Sequence, residues 1–338
     1  MPESTELASR LTKIEDPSNF DASTYADNFT GFMGATVKEG LTPEEGDALC
    51  PKLDNAYNAK FFTGYNLNGL GKELKVPGID KGRATFLIEA KNRTPDDPVF
   101  VFNHGGAYLL GLFPIFLDTC RLLYNAIGND RLSILILDYT TSARAKYPTQ
   151  LDELSKTLNK LSESCNKIII GGDSAGGHLS LSLLRHASYP VNGAQPLKKE
   201  ALPYATLLIS PWVDLSPNSK EGTYVTNDKT DILSGDALYA WGKFFSPDKF
   251  EDASINFHRD TAVDWTKIIP NKDNVFVYYG TNEVLAGAIL QWANDRAKLD
   301  SSNILGDKNA VHEQVCFYPN ERVESFNAIV DWFKKVLA

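Results

Sequence analysis

From about Arg83 onward, apolar positions fall into two alternating textures. Short, nearly unbroken runs of Val, Ile, Leu and Phe lie at Ala84–Ile88, Val99–Asn103, Ile134–Asp138, Lys167–Gly171, Ala205–Ser210, Val275–Tyr279 and Val315–Tyr318. Runs of that kind are what strands buried on both faces look like. Between them, helix-period spacing predicts helices over Phe113–Ala126, Gln150–Leu161, Ala175–Ala187, Ala286–Leu299 and Glu324–Val336. Strand and helix in succession predict an α/β fold with a mostly parallel, doubly wound sheet.

Two stretches break the rhythm. Residues 211–270 separate two strand runs by about 60 residues, too many for a structureless loop in a compact domain. The stretch holds a helical pattern at Ala237–Phe245 together with Trp212 and Trp241. It reads as a helical cap inserted over the carboxyl end of the sheet, where ligands bind in open α/β sheets. Residues 1–75 are rich in Asp, Asn, Gly and Thr, with scattered aromatics such as Phe29, Phe61 and Tyr65. They read as an N-terminal arm or lid, with residues 76–338 as the main domain.

Composition narrows the function. The chain has 338 residues, 43% hydrophobic and 23% charged, which suits a soluble globular protein. Its net charge is −9 and its Lys and Arg are scattered, which argues against a nucleic-acid or anionic-membrane partner. No run of about 18 apolar residues predicts a membrane span. The polar segment Met1–Asp16 has no apolar leader core, so a cytoplasmic location is expected. Cys50, Cys120, Cys165 and Cys316 are far apart and read as reduced thiols. No His/Cys/Asp cluster has metal-ligand spacing, so no metal is expected. Nothing in the pattern specifies an oligomeric state.

The chemistry is carried by two glycine motifs. Gly172-Asp173-Ser174-Ala175-Gly176 fits G-x-S-x-G, between an apolar strand run and an apolar helix run. The spacing has a mechanical reason. A strand must turn sharply into a helix with Ser174 at the apex, and small residues on either side let that turn close. The serine then sits at a helix N-terminus, where amides favour developing negative charge. The second motif, Asn103-His104-Gly105-Gly106-Ala107-Tyr108, directly follows a strand run about 70 residues earlier. The N–H groups of Gly105 and Gly106, with that of Ala175, predict an oxyanion hole. Such chemistry needs no cofactor. Tyr108, Phe113, Trp212 and Trp241 are candidates for lining an apolar substrate pocket.

On these motifs, roughly residues 80–338 resemble the hormone-sensitive-lipase-like branch of the α/β-hydrolase fold, a group of carboxylesterases and deacetylases. Asp138-Tyr139, Tyr147-Pro148 and Ser210-Pro211-Trp212 add to the likeness. The resemblance implies a serine hydrolase acting on a small uncharged ester through an acyl-serine intermediate. It also implies an acid after the strand that follows the cap, and Glu283 falls at that position. By local reading alone, Glu283 or Asn282 could equally cap the helix that follows.

The resemblance further implies a histidine after the last strand. With that strand at Val315–Tyr318, no histidine follows, and Val323 stands near the expected place. His104 belongs to the oxyanion loop, and His178 and His186 to the helix after the serine. His258 lies in the segment returning from the cap. His312 would precede the strand, roughly 20 Å below the active face at about 3.3 Å per residue. An incomplete triad leaves a second reading open: a catalytically impaired relative that binds a small apolar ligand, as plant gibberellin receptors of this fold do beneath an N-terminal lid.

Overall fold

The computed structural model describes Glu6 and residues 72–338, except 81, 113 and 270. The arm expected over residues 1–75 therefore lies almost wholly outside the described residues.

Eight strands form one sheet: β1 (Lys72–Glu73), β2 (Ala84–Ile88), β3 (Val99–Asn103), β4 (Ser133–Leu137), β5 (Ile168–Asp173), β6 (Ala205–Ile209), β7 (Val275–Gly280) and β8 (Ile304–Asp307). Their order is β1-β2-β4-β3-β5-β6-β7-β8. The β1–β2 and β2–β4 pairings are antiparallel, and every other pairing is parallel. β3, β4, β5 and β6 are buried at every residue, which is why they read as unbroken apolar runs.

Six helices matter for the site: α1 (Pro114–Ile127), α2 (Thr149–Leu161), α3 (Ser174–Ser188), α4 (Gly235–Phe245), α5 (Ala286–Leu290, running into a wider turn at Gln291–Arg296) and α6 (Gln314–Phe317). A seventh, α7 (Val323–Leu337), closes the chain. α2 presents Leu151, Leu154, Leu158 and Leu161 at helical spacing, and all four are fully buried. From β3 the chain crosses to β4 on one side, then returns past β3 to β5 on the other. Right-handed crossovers in opposite directions put α1 and α2 on opposite faces. The order reverses at β3 and β5, so the crevice outside their carboxyl ends is the natural ligand position. No described helix is long and apolar enough to cross a membrane.

Two expected elements differ. Val315–Phe317 is not a strand: it lies in α6, which packs on α1. A short apolar run has the same signature as a buried helical turn. The last strand is instead Ile304–Asp307, whose four residues run parallel to β7 from Val277 to Gly280. Only Asp307 of the four is buried, so this edge strand lacks the apolar run that marks the central ones.

Candidate active site

β5 ends at Asp173, and Ser174 opens α3 at once with φ 45°. That left-handed conformation is strained for a residue with a side chain, by about 1–3 kcal/mol. The flanking glycines are fixed by contact as well as by the turn. A Cβ on Gly172 would lie 2.1 Å from the carbonyl oxygen of Asn103, and one on Gly176 1.9 Å from the same atom. β3 thus passes so close to the elbow that only hydrogen fits.

Ser174 lines a cavity with three groups of neighbours. Gly106 and Ala107 come from the loop after β3, and His312 and Glu313 from the loop after β8. Ile232, Leu233, Leu238 and Trp241 come from the segment between β6 and β7, partly on α4. The loop after β3 doubles back through three left-handed residues, Gly106, Ala107 and Tyr108, at φ 97°, 55° and 61°. Behind it, the Tyr139 hydroxyl bridges the carbonyls of His104 (2.7 Å) and Gly105 (3.2 Å). His104 stacks on Tyr139 with ring centroids 4.1 Å apart. Burial lowers its pKa to about 4, so it is a neutral prop for this loop. Gly105 sits beside the elbow, where a Cβ would meet Asp173 Oδ2 at 2.0 Å. Neither Gly105 nor Ala175 is among the residues lining the cavity, although each adjoins one that is.

A histidine does line the cavity of the serine. Because β8 ends at Asp307, His312 follows the last strand instead of preceding it. Its Nδ1 lies 3.0 Å from Oε2 of Glu283, and its backbone N–H donates to Asp231 at 2.9 Å. Its Nε2 lies 3.3 Å from Oε1 of Glu313. Glu283 is not a solvent-facing cap: it is fully buried. Val323 is half exposed at the start of α7, away from the cavity.

Burial alone would strip the proton from His312, but Glu313 and Glu283 outweigh it and raise its pKa well above the ordinary value. Burial pushes Glu283 up to about 7, against the opposing pull of His312. The two groups share one proton equilibrium. With a carboxyl against each ring nitrogen, the geometry favours the imidazolium.

Tyr108 and Trp212 are not lining residues of this cavity. Both are fully buried. Tyr108 stacks on Phe245 at 3.8 Å, and its hydroxyl meets His178 Nδ1 at 2.7 Å. The backbone N–H of Trp212 donates to the Ser174 carbonyl at 2.9 Å. Large aromatics near a ligand site are more often core, as here. His258 faces Asp214 at 3.7 Å and lines a different cavity. The residues that sequence reasoning missed are His312, Glu313, Asp231, Ile232, Leu233 and Leu238; Trp241 does line the cavity, and Phe113 lies outside the described residues. His312 escapes the sequence reading because Val315–Tyr318 reads as the last strand, which sets the histidine before that strand.

Known proteins resemble this chain in sequence and in fold. A family described as steryl acetyl hydrolase matches residues 80–336. The Schizosaccharomyces pombe protein mug81, to which a steryl acetyl hydrolase activity is ascribed by name, is 31% identical over 250 residues, covering 70% of this chain and 65% of that one. Steryl acetyl hydrolase 1 of Saccharomyces cerevisiae is 28% identical over 209 residues, covering 56% and 46%. The chain thus spans about two thirds and about half of the length of these relatives. A hormone-sensitive lipase from a metagenome library superposes with TM-score 0.63 at 18% identity, over 93% of this chain and 98% of that one. At that identity the likeness carries the α/β-hydrolase fold.

Proposed function

This chain belongs to the steryl acetyl hydrolase family, and from that membership we propose that it is a serine hydrolase which cleaves a small uncharged ester through an acyl-serine intermediate. One observation carries the reading: His312, held by Glu283, lines the same cavity as Ser174. In this scheme Ser174 Oγ attacks the ester carbonyl while His312 accepts its proton at Nε2. Glu283 keeps the other ring proton on Nδ1 and stabilises the imidazolium. The backbone amides of Gly105, Gly106 and Ala175 receive the oxyanion. The imidazolium then protonates the departing alcohol, and a water molecule repeats the sequence on the acyl-serine.

The names of the relatives point to acetyl esters of sterols. Ile232, Leu233, Leu238 and Trp241 give the cavity an apolar wall that suits an ester of an apolar alcohol. We assign the segment over residues 211–270 the role of a cap that supplies this wall. The receptor-like reading drew its support from an absent histidine, and His312 removes that support.

The test is direct. Wild-type protein and Ser174→Ala are treated with a fluorophosphonate probe, p-nitrophenyl acetate and a sterol acetate. Serine-dependent labelling and acetate release are expected. Labelling that persists in Ser174→Ala, or wild-type protein that neither labels nor turns over, overturns the proposal.

A further inference from the structure

Glu313 is the neighbour of His312 that the scheme above leaves unused. It is buried, and its backbone is left-handed at φ 56°, a strained choice for a residue with a side chain. Its N–H donates to Ser210 Oγ at 3.2 Å. Its Oε1 lies 3.3 Å from Nε2 of His312, the nitrogen that would have to serve Ser174. Asp173, the residue before the nucleophile, stands on its other side. The point where Gly105 would carry a Cβ is 2.9 Å from Glu313 Oε1 and 2.0 Å from Asp173 Oδ2. Among the described residues, neither Asp173 oxygen meets a hydrogen-bond donor, while Glu313 Oε1 has Nε2 of His312 as its cationic neighbour. A buried carboxyl without a donor, placed beside a second carboxyl, keeps its proton, and Asp173 is that group. Burial, and after it Glu313, raise the pKa of Asp173 well above the usual carboxylate range.

We propose that Glu313 is a positioning residue: its carboxylate holds Nε2 of His312 at rest, and yields that nitrogen to Ser174 when a proton passes into the Glu313–Asp173 pair. The step balances within the site. The Nε2–H bond of the imidazolium breaks and an O–H bond forms on Glu313. The positive charge on the ring and the negative charge on Glu313 disappear together. The new O–H donates to Asp173, and the Nε2 lone pair is left for the hydroxyl proton of Ser174. The catalytic consequence rests on the hydrolase reading, whereas the His312–Glu313 contact does not.

The groups acting on His312 are all acidic. They are Glu283 after β7, Asp231 from the segment after β6, Asp173 at the end of β5, and Glu313 itself. Tyr139, Cys120 and Cys316 face the carboxyl pair, and Tyr278, Tyr279 and Tyr224 face Glu283; burial raises the pKa of each and keeps it neutral. The release of His312 is therefore governed by carboxyl protons.

The experiment is an NMR titration of ¹⁵N-histidine-labelled full-length chain, wild type and Glu313→Gln, beside the pH profile of kcat/KM. In the wild type, His312 is expected to titrate above the ordinary 6.5. Glu313→Gln is expected to lower that midpoint by roughly one unit or more. The ratio of kcat/KM for Glu313→Gln over wild type then rises about tenfold as pH falls through the acid limb. A merely structural role would change kcat/KM equally at every pH. A wild-type midpoint at or below the ordinary value, or one unmoved in Glu313→Gln, overturns the proposal. If the variant does not fold, the wild-type titration decides. The NMR readout needs no turnover, so an inactive wild type would overturn the hydrolase reading and still leave this contact measured.

Discussion

Nδ1 of His312 lies 3.0 Å from Oε2 of Glu283, although the two residues belong to loops that follow different strands. β7 and β8 are parallel neighbours, so their carboxyl ends open on the same rim and the two loops meet there. His312→Ala leaves Ser174 without a proton acceptor. Turnover of p-nitrophenyl acetate should fall by a factor on the order of 10⁴–10⁶, with the circular dichroism spectrum unchanged. A fall of less than tenfold would remove His312 from the proposed role.

Glu283 acts through the ring it holds. Glu283→Gln keeps the shape of the side chain but removes the charge that stabilises the imidazolium. Its amide can also favour the wrong tautomer. A loss on the order of 10⁴ in kcat is expected, by analogy with the Asp-to-Asn change in an unrelated protease, with KM little altered. Steady-state kinetics separate the two. A change confined to KM would place Glu283 in substrate binding instead.

Tyr108 illustrates how a core aromatic differs from a pocket aromatic. His178 is fully buried, and burial lowers its pKa to about 3, so it is neutral. Its Nε2 sits 3.1 Å from the Ile255 carbonyl and must donate there. Nδ1 therefore accepts from the Tyr108 hydroxyl at 2.7 Å. Tyr108→Phe leaves that nitrogen only the Ser182 hydroxyl at 3.4 Å, and losing the shorter bond costs about 0.5–1.5 kcal/mol. Thermal melting should shift down accordingly while KM for p-nitrophenyl acetate stays put. A raised KM without a melting shift would return Tyr108 to the substrate pocket.

Much of this was legible in the sequence, for reasons that can be named. The central strands carry a strong apolar signature because they are covered on both faces. The elbow is written in glycine because the Asn103 carbonyl passes within about 2 Å of where a Cβ would be, and the oxyanion loop because Gly105 abuts the Asp173 carboxyl and Gly106 is left-handed. The histidine was not legible, because its place depends on which apolar run is the last strand. Val315–Phe317 is the more apolar candidate yet forms a helical turn, while Ile304–Asp307 is a sparse edge strand. One exchanged element carried His312 from the bottom of the sheet to its rim. The contact between Glu313 and Asp173 joins residues 140 apart in sequence (313 − 173), and no local pattern announces it.

Trp241 tests the wall contributed by the segment between β6 and β7. It lies on α4 and faces the cavity of Ser174. Trp241→Ala should enlarge the space beside the nucleophile and shift selectivity toward bulkier esters. The readout is the ratio of kcat/KM for a sterol acetate over p-nitrophenyl acetate. An unchanged ratio would show that the alcohol lies elsewhere.

The carboxyl pair has a consequence for stability as well as for catalysis. The pKa of Asp173 is raised in the folded state, first by burial and then by Glu313. A group whose folded pKa lies above its unfolded value supports the fold fully below that unfolded value. It loses that support as pH rises through the folded value. For Asp173 the unfolded value is 3.8, so the loss begins above about pH 4 and grows with pH. Asp173→Asn stays neutral at every pH, and its amide can donate to Glu313. The variant should therefore melt close to wild type near pH 4 and at a progressively higher temperature than wild type as pH rises. Melting curves across pH 4–8 measure the difference. A gap that is constant across the range, or that favours wild type at high pH, would mean that Asp173 is ionised in the folded protein.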